Sequence, residues 1–273
     1  MNIFKNIADI KKFIGDAKNK NLKIAFVPTM GALHLGHLSL VKNAQKFSDI
    51  VIVSIFVNKL QFNDQNDFAK YPRNYDNDIL MLKNQGIDAV FLPCDDELYP
   101  KPMAFKIIPQ NYVNCLCAKH RTGHFEGVCI VVSKLLNIIE PNFTFLGLKD
   151  YQQYLIIKKL VDDLNFNTEI MGVETYRQDN GLAMSSRNEL LSPSAKIKAG
   201  LIYKTLQEIK NNPDLIEDKK IELLKNGFER IDYIEIRNAL NLQIENPRKT
   251  DQKYRIFIAL YLEGIRLIDN IEL

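Results

Sequence analysis

From residue 23 to about residue 172 the chain alternates short apolar runs with longer segments whose apolar residues recur every three or four positions. The runs KIAFVPT, DIVIVSIFVN, DAVFLP and NTEIMGV are rich in Val, Ile and Phe and apolar almost throughout, as strands covered on both faces must be. Between them lie HLSLVKNAQKF, NYDNDILMLKNQG, GVCIVVSKLLNII and DYQQYLIIKKLVDDL, each carrying an apolar stripe at helical spacing. A parallel sheet with helices on both sides is the arrangement that satisfies this alternation. Gly86, between MLKNQ and the strand DAVFLP, reads as a helix C-cap feeding the next strand.

The texture changes after RNELLSPSAK. SPSAKIKAGLIYKTLQEIK and DLIEDKKIELLKNGFER read as helices, the first opened by Ser192 before Pro193, an N-cap and N1 pair. IDYIEIRN and YRIFIALYLEGIRLIDNIEL read as strands. These features place a boundary near residue 175, dividing the chain into an α/β unit, 1–174, and a smaller α+β unit, 175–273. The 273 residues are ample for two such cores.

Composition excludes several classes of function. Lys and Arg number 36 against 33 Asp and Glu, a net charge of +3, too balanced for the broad basic field of a nucleic-acid binder. The longest apolar stretch, IVIVSIFV, falls far short of the roughly 20 residues that span a bilayer. The N-terminal MNIFKNIADIKKFIGDAKNKN interrupts its apolar residues with charges, unlike a secretory signal, so a cytoplasmic location is expected. Cys94, Cys115, Cys117 and Cys129 include no CxxC pair and read as incidental thiols.

Chemistry concentrates in PTMGALHLGHLSLV. It holds His34 and His37, half of the chain's 4 histidines, in a loop that leaves a strand and enters a helix. In parallel α/β sheets such loops gather ligands beyond the carboxyl ends of the strands, and the N–H groups of a helix N-terminus suit phosphate. Gly36 allows close approach, and two imidazoles on one turn can hydrogen-bond the phosphates of a nucleotide. A zinc site built from His34, His37, His120 and His124 is the competing reading, disfavoured because no Cys or carboxylate stands at ligand spacing.

Further polar clusters fall at other loop positions. LKDYQQ sets Lys149, Asp150, Gln152 and Gln153 at a helix opening behind the strand-like NFTFL, where lysine can neutralise phosphate and an amide can bind a hydroxyl or carboxylate. NGLAMSSRN offers Ser185, Ser186 and Arg187, donors suited to a triphosphate. FVNKLQFN ends a strand with Asn58, Gln61 and Phe62 at the ligand-binding edge of the sheet.

Taken in order, PTMGALHLGH, FVNKLQF, YPRNYDND, GHFEGVCIVVSKL, GLKDYQQ and NGLAMSSRN closely resemble the pantothenate synthetase (pantoate–β-alanine ligase) family, over essentially the whole chain. The resemblance implies a Rossmann-like N-terminal domain that binds ATP and pantoate, a smaller C-terminal lid domain, and a homodimer. It implies Mg²⁺-dependent formation of pantoyl adenylate from ATP and (R)-pantoate, followed by attack of β-alanine's amine to give pantothenate and AMP. Carried over by position, Pro28, Thr29, Met30, Gly31, His34, Gly36, His37, Gly147, Lys149, Asp150, Tyr176, Met184, Ser185, Ser186 and Arg187 would bind ATP. Of these, His34, His37, Lys149, Ser185, Ser186 and Arg187 would act on the phosphates, and Asp150 would take the ribose hydroxyls. Gln61 and Gln153 would hold pantoate's hydroxyl and carboxylate, with Pro28, Met30 and Phe62 as its apolar wall. Asn58 and Gln61 are expected at β-alanine, and Asp78 at the metal.

Several positions depart from the family pattern. Lys59 replaces Pro in FVNPxQF and Leu146 replaces the Phe of FGxKD, while Glu174, Tyr176 and Asn180 stand where Pro, Val and Asp are usual in PTVRExDGLA. Two rivals remain to be weighed. A nucleotidyltransferase acting on a phosphate ester would have no need of paired glutamines such as Gln61 and Gln153, and a synthetase-like RNA-binding module would need a basic face.

Overall fold

The computed structural model describes residues 1–244 and 252–273. Six parallel strands form the larger sheet: β1 (Asn2–Phe4), β2 (Ile24–Thr29), β3 (Ile50–Ile55), β4 (Ala89–Phe91), β5 (Phe143–Gly147) and β6 (Glu169–Val173). Their order across the sheet is β1-β4-β3-β2-β5-β6. The register runs from Ile24 opposite Ile50 to Thr29 opposite Ile55, and β2 meets β5 at Ala25–Phe143 and Phe26–Thr144. Apart from the edge strand β1, chain order therefore runs outward in both directions from the β2–β5 pair, so the loops leaving these two strands diverge and open a crevice at their carboxyl ends.

The apolar runs become strands because both faces are covered. All six residues of β3 are buried, and the helices Leu35–Ala44, Tyr75–Asn84, His124–Ile139 and Tyr151–Asp163 supply the cover. Burial of side chains such as Phe26, Ile52 and Phe91, all fully inaccessible, contributes about 1.5–3 kcal/mol each before entropy is counted. The His124–Ile139 helix is buried along nearly its whole length because it lies between the sheet and the Ile7–Asn19 helix.

β1 lies outside the strand-like runs recognised in the sequence: three residues at the sheet edge, paired with β4, carry too little pattern to stand apart from the amphipathic helix that follows. The long segment after Ser192 is two helices, Pro193–Ala199 and Leu201–Asn211, meeting at Gly200. There a Cβ would lie 2.8 Å from the Asn180 carbonyl, so close packing on the preceding loop divides them. Behind them β7 (Arg230–Asn238), β8 (Tyr254–Leu262) and β9 (Ile265–Glu272) form an antiparallel sheet with its own cluster, including Leu206, Ile258 and Leu260. This unit is fastened to the first: Asn270 Nδ2 donates to the carbonyls of Leu148 and Lys149 at 3.0 and 2.9 Å, and Tyr151 OH donates to Ala239 O at 3.0 Å.

One close approach shapes the crevice wall. The His124–Ile139 helix passes the short turn Lys59–Gln61 so closely that a Cβ on Gly127 would stand 2.2 Å from the Leu60 carbonyl oxygen. Gly127→Ala, helpful to a free helix, is expected to cost about 1–3 kcal/mol here because backbone must move; a urea midpoint equal to wild type would contradict this packing.

Candidate active site

A cavity of about 220 Å³ opens at the carboxyl ends of β2, β3, β5 and β6. Its floor is apolar, from Val131, Val132 and Leu135 of the buried helix with Phe145 and Leu146 of β5; its polar groups come from four loops. Pro28, Thr29, Met30, His34, Gly36, His37, Gln61, Gly147, Lys149, Asp150, Gln153, Tyr176, Met184, Ser185, Ser186 and Arg187 all line it. The sequence-expected residues scattered over some 160 positions are thus brought to one crevice.

The histidine loop is held under tension. Gly31 and Ala32 both have positive φ, +77° and +49°, a conformation that costs a residue with a Cβ about 1 kcal/mol or more. Asp78 fixes it: buried completely, its carboxylate accepts the N–H groups of Ala32 (2.9 Å) and Leu33 (2.7 Å). Burial raises its pKa, and these two bonds oppose the rise.

His34 caps the Leu35–Ala44 helix, its Nδ1 accepting the Gly36 N–H at 3.1 Å, while His37 Nδ1 accepts the His34 N–H at 3.3 Å. Backbone donors at both Nδ1 atoms fix the neutral tautomer with hydrogen on Nε2. Burial first, then His37 and Lys149, lowers the pKa of His34 to about 2; burial and Lys149 lower that of His37 to about 4. At neutral pH the pair, with ring centroids 4.0 Å apart, is uncharged and keeps its Nε2–H groups for a ligand. Lys149, largely buried and 3.8 Å from Asp150, supplies positive charge beside it.

The glutamine side is equally constrained. Asn58 Nδ2 donates to Gln61 Oε1 (3.1 Å) and to Gly127 O (3.0 Å), and Gln61 Nε2 lies 2.9 Å from the Met30 sulfur. His124 Nδ1 lies 2.8 Å from Gln61 O, and Arg121 Nη1 donates to His124 Nε2 at 3.0 Å, so His124 donates through Nδ1 and accepts at Nε2. Burial and Arg121 lower its pKa to about 3. Gln152 and Gln153 separate in role: Gln152 bonds the backbone at Tyr112, Cys115 and Cys117, whereas Gln153 faces the cavity.

On the far side Ser186 Oγ donates to Ala32 O at 3.0 Å, tying the serine turn to the histidine loop. Ser185 caps the following turn by accepting Arg187 N–H at 3.3 Å. Arg187 pairs with Asp67.

Four expectations change. Asp78, expected as a metal ligand, is absorbed by the backbone of the histidine loop and lies off the cavity. Gly31 is also behind the wall, where its positive φ makes the turn. Asn58, expected at β-alanine, is wholly buried and orients Gln61. Phe62, expected in the apolar wall, packs edge-on against Phe68 and Tyr71 at 5.3 and 5.7 Å, and Tyr71 forms the wall instead. Val131 and Leu135 were hidden in a segment whose periodicity reads as ordinary core. Of the altered positions, Asn180 serves its own turn, accepting Leu182 N–H and donating to Lys196 O, and Lys59 is exposed. The four histidines do not converge: His120 stands 3.7 Å from Asp232, and among the described residues no group of three or more His, Cys, Asp or Glu forms a metal cluster.

A sequence profile of the family described as pantoate-beta-alanine ligase matches residues 2–272. The chain belongs to the pantoate–β-alanine ligase family. It is 43% identical to the pantothenate synthetase of Carboxydothermus hydrogenoformans over 279 residues, covering 99% of this chain and 98% of the relative. It is 44% identical over 259 residues to that of Neisseria meningitidis serogroup C, covering 92% of each. Among solved structures, pantothenate synthetase from Thermus thermophilus superposes with a TM-score of 0.92 at 33% identity, covering 100% of this chain and 99% of that one. The Francisella tularensis ligase, solved in complex with beta-gamma ATP and beta-alanine, gives 0.87 at 40% identity, covering 100% and 97%. As a member of the pantoate–β-alanine ligase family the protein is an enzyme of pantothenate biosynthesis, and among the described residues no helix is long and apolar enough to cross a membrane.

The lowered pKa values carry a sign that can be checked. The unfolded chain takes up protons at His34, His37 and His124 near pH 6.5 while the native chain resists, so their contribution to stability is full above that pH and is lost as pH falls toward 4 and below. In the ligand-free enzyme the Cε1 protons of these three residues are expected to show no titration by NMR between about pH 6 and 8. A midpoint near 6.5 at His34 or His37, the ordinary value for histidine, would overturn the neutral-donor assignment.

Proposed function

We propose that the enzyme joins (R)-pantoate to β-alanine through a pantoyl adenylate, consuming ATP. The observation that supports this best is the pairing of a neutral imidazole couple and Lys149 with the amides of Gln61 and Gln153 across one cavity. The first set suits a triphosphate, the second a hydroxy acid. A pantoate carboxylate oxygen attacks the α-phosphorus and pyrophosphate leaves; the amine of β-alanine then attacks the acyl carbon, and AMP leaves with that oxygen. In the first step there is little covalent work for the protein, so charge compensation and alignment dominate.

In this reading the Nε2–H groups of His34 and His37 and the ammonium of Lys149 donate to phosphoryl oxygens, with Ser185 and Arg187 toward the leaving end. Ser186 keeps the turn against the histidine loop. Asp150 takes the ribose hydroxyls, and Tyr176 lies at the rim over the nucleotide. Gln61 and Gln153 orient pantoate against Pro28, Met30 and Tyr71. None of these residues is a strong base for the amine of β-alanine, the pKa values of His34 and His37 being lowered to about 2 and about 4, so β-alanine is expected to enter with that amine already free.

Asp150 and Glu174 are the acids among the lining residues. Such a donor set fits a Mg²⁺ ion carried mainly by phosphates and water, as is usual for Mg²⁺ with nucleotides. When bound, the ion offsets triphosphate charge. A cytoplasmic homodimer is the proposed setting. A phosphate-ester acceptor is less favoured because it leaves the paired amides unused, and an RNA-binding role is less favoured because the net charge is only +3.

Purified protein with MgATP, pantoate and β-alanine is expected to release AMP and pyrophosphate over many turnovers; a folded, ATP-binding protein that releases neither would refute the reading. His37→Ala should lower the adenylation rate about 10²-fold with the fold intact, and full activity would remove His37 from that role. Gln153→Ala should chiefly raise the KM for pantoate; a change confined to ATP would move pantoate elsewhere in the cavity.

A further inference from the structure

We infer that Asp67 is a positioning residue for the nucleotide step, holding Arg187 across the cavity mouth so that its unpaired edge faces the triphosphate. The inference rests on the proposed function above, because it takes that anion as the ligand.

Arg187 Nη2 lies 2.8 Å from Asp67 Oδ2 and its Nε lies 3.4 Å from Oδ1. This side-on fork occupies two of the three guanidinium nitrogens and leaves Nη1, with both hydrogens, on the edge away from Asp67. Arg187 lines the cavity of the histidines and also a second cavity of about 280 Å³, whose wall includes Asp67; Lys149, Asp150 and Ser185 are likewise common to both. The ion pair therefore stands at the junction of the two spaces, beside the group assigned to the phosphates.

Both ends of the pair are anchored. Asp67 belongs to the short helix Gln65–Lys70, capped by Asp64, whose Phe68 packs on Phe62 and whose Phe68 carbonyl accepts Arg73 Nη2 at 3.0 Å. Arg187 follows Ser186, whose hydroxyl reaches Ala32 O in the histidine loop. Its guanidinium carbon stands 5.7 Å from the Tyr71 ring centroid, which limits rotation on that side. Burial opposes the charge of Arg187, and the Asp67 carboxylate more than restores it. A long side chain with many rotamers is thereby ordered before the nucleotide arrives, which spares the entropy of ordering it on binding.

The pair differs from a fully exposed salt bridge because both partners are partly buried, with side-chain exposures of 23% for Arg187 and 33% for Asp67. Removing the carboxylate leaves an undirected cation at the mouth, and the loss falls on the anion that Arg187 would meet.

The test is a double-mutant cycle. Asp67→Asn is expected to raise the MgATP dissociation constant, measured by calorimetry, about tenfold, with the pantoate KM unchanged within about twofold; Asp67→Glu should recover part of the loss. In an Arg187→Ala background Asp67→Asn should have no further effect on MgATP. Equal effects of Asp67→Asn in both backgrounds would overturn the inference, as would unaltered MgATP binding in a folded Asp67→Asn variant. MgATP binding is read without turnover. A wild type that binds MgATP but never consumes pantoate would therefore defeat the proposed function, whereas additivity in the cycle defeats only the role of Asp67.

Discussion

The geometry of the cavity depends on two hydrogen bonds from Ala32 and Leu33 to a single buried carboxylate, Asp78. Without them the turn through Gly31 and Ala32, with two successive positive φ angles, keeps only the bond from Gly31 N–H to Thr29 Oγ1 at 3.2 Å and that from the Ser186 hydroxyl to Ala32 O at 3.0 Å. With them the chain leaves β2 and enters the next helix along a fixed path, and the first N–H groups of that helix meet His34. The tautomers of both histidines then follow from the backbone. Each Nδ1 is occupied by a backbone donor, burial suppresses protonation, and two Nε2–H groups remain. A negatively charged residue far along the chain thus determines hydrogen-bond donors at a site it never touches.

The opposing wall is built by the same device of indirect support. Asn58 and His124 hold Gln61 from its side chain and its carbonyl, and Gly127 lets the buried helix press against the Lys59–Gln61 turn. Rigid placement matters because nearly all the proposed chemistry is alignment: a displacement of about 1 Å can cost about 10² in rate. The second unit contributes in kind, since Asn270 fixes the carbonyls of Leu148 and Lys149.

The parallel sheet was legible because strands buried on both faces must be apolar throughout and their helices must carry stripes; β2, β3, β4 and β6 fall within the four runs so identified, while β5 matches the strand-like NFTFL and ends one residue beyond it, at Gly147. β1 escaped because three edge residues have no period to display. Their gathering at one cavity was legible for His34, His37, Lys149, Gln153 and the serine turn, because polar residues on strand-to-helix loops come together beyond the carboxyl ends of the strands. Asn58, Phe62 and Asp78 were assigned to ligands and turn out to support residues that line the cavity. Sequence places such groups next to the site in order of chain, but only the fold decides which side of the wall each occupies. Tyr71 shows the converse: its contact arises from aromatic packing with Phe62, and nothing in the local pattern announces it.

The central claim is that the cavity activates a carboxylate by transferring AMP to it, and the fate of one oxygen tests this most directly. With pantoate labelled with ¹⁸O in its carboxylate, the account predicts that each AMP released in the complete reaction carries one labelled oxygen, because the acyl–phosphate bond is cleaved on the acyl side. Unlabelled AMP formed together with pantothenate would show that the carboxylate never bonded to phosphorus and would contradict the account.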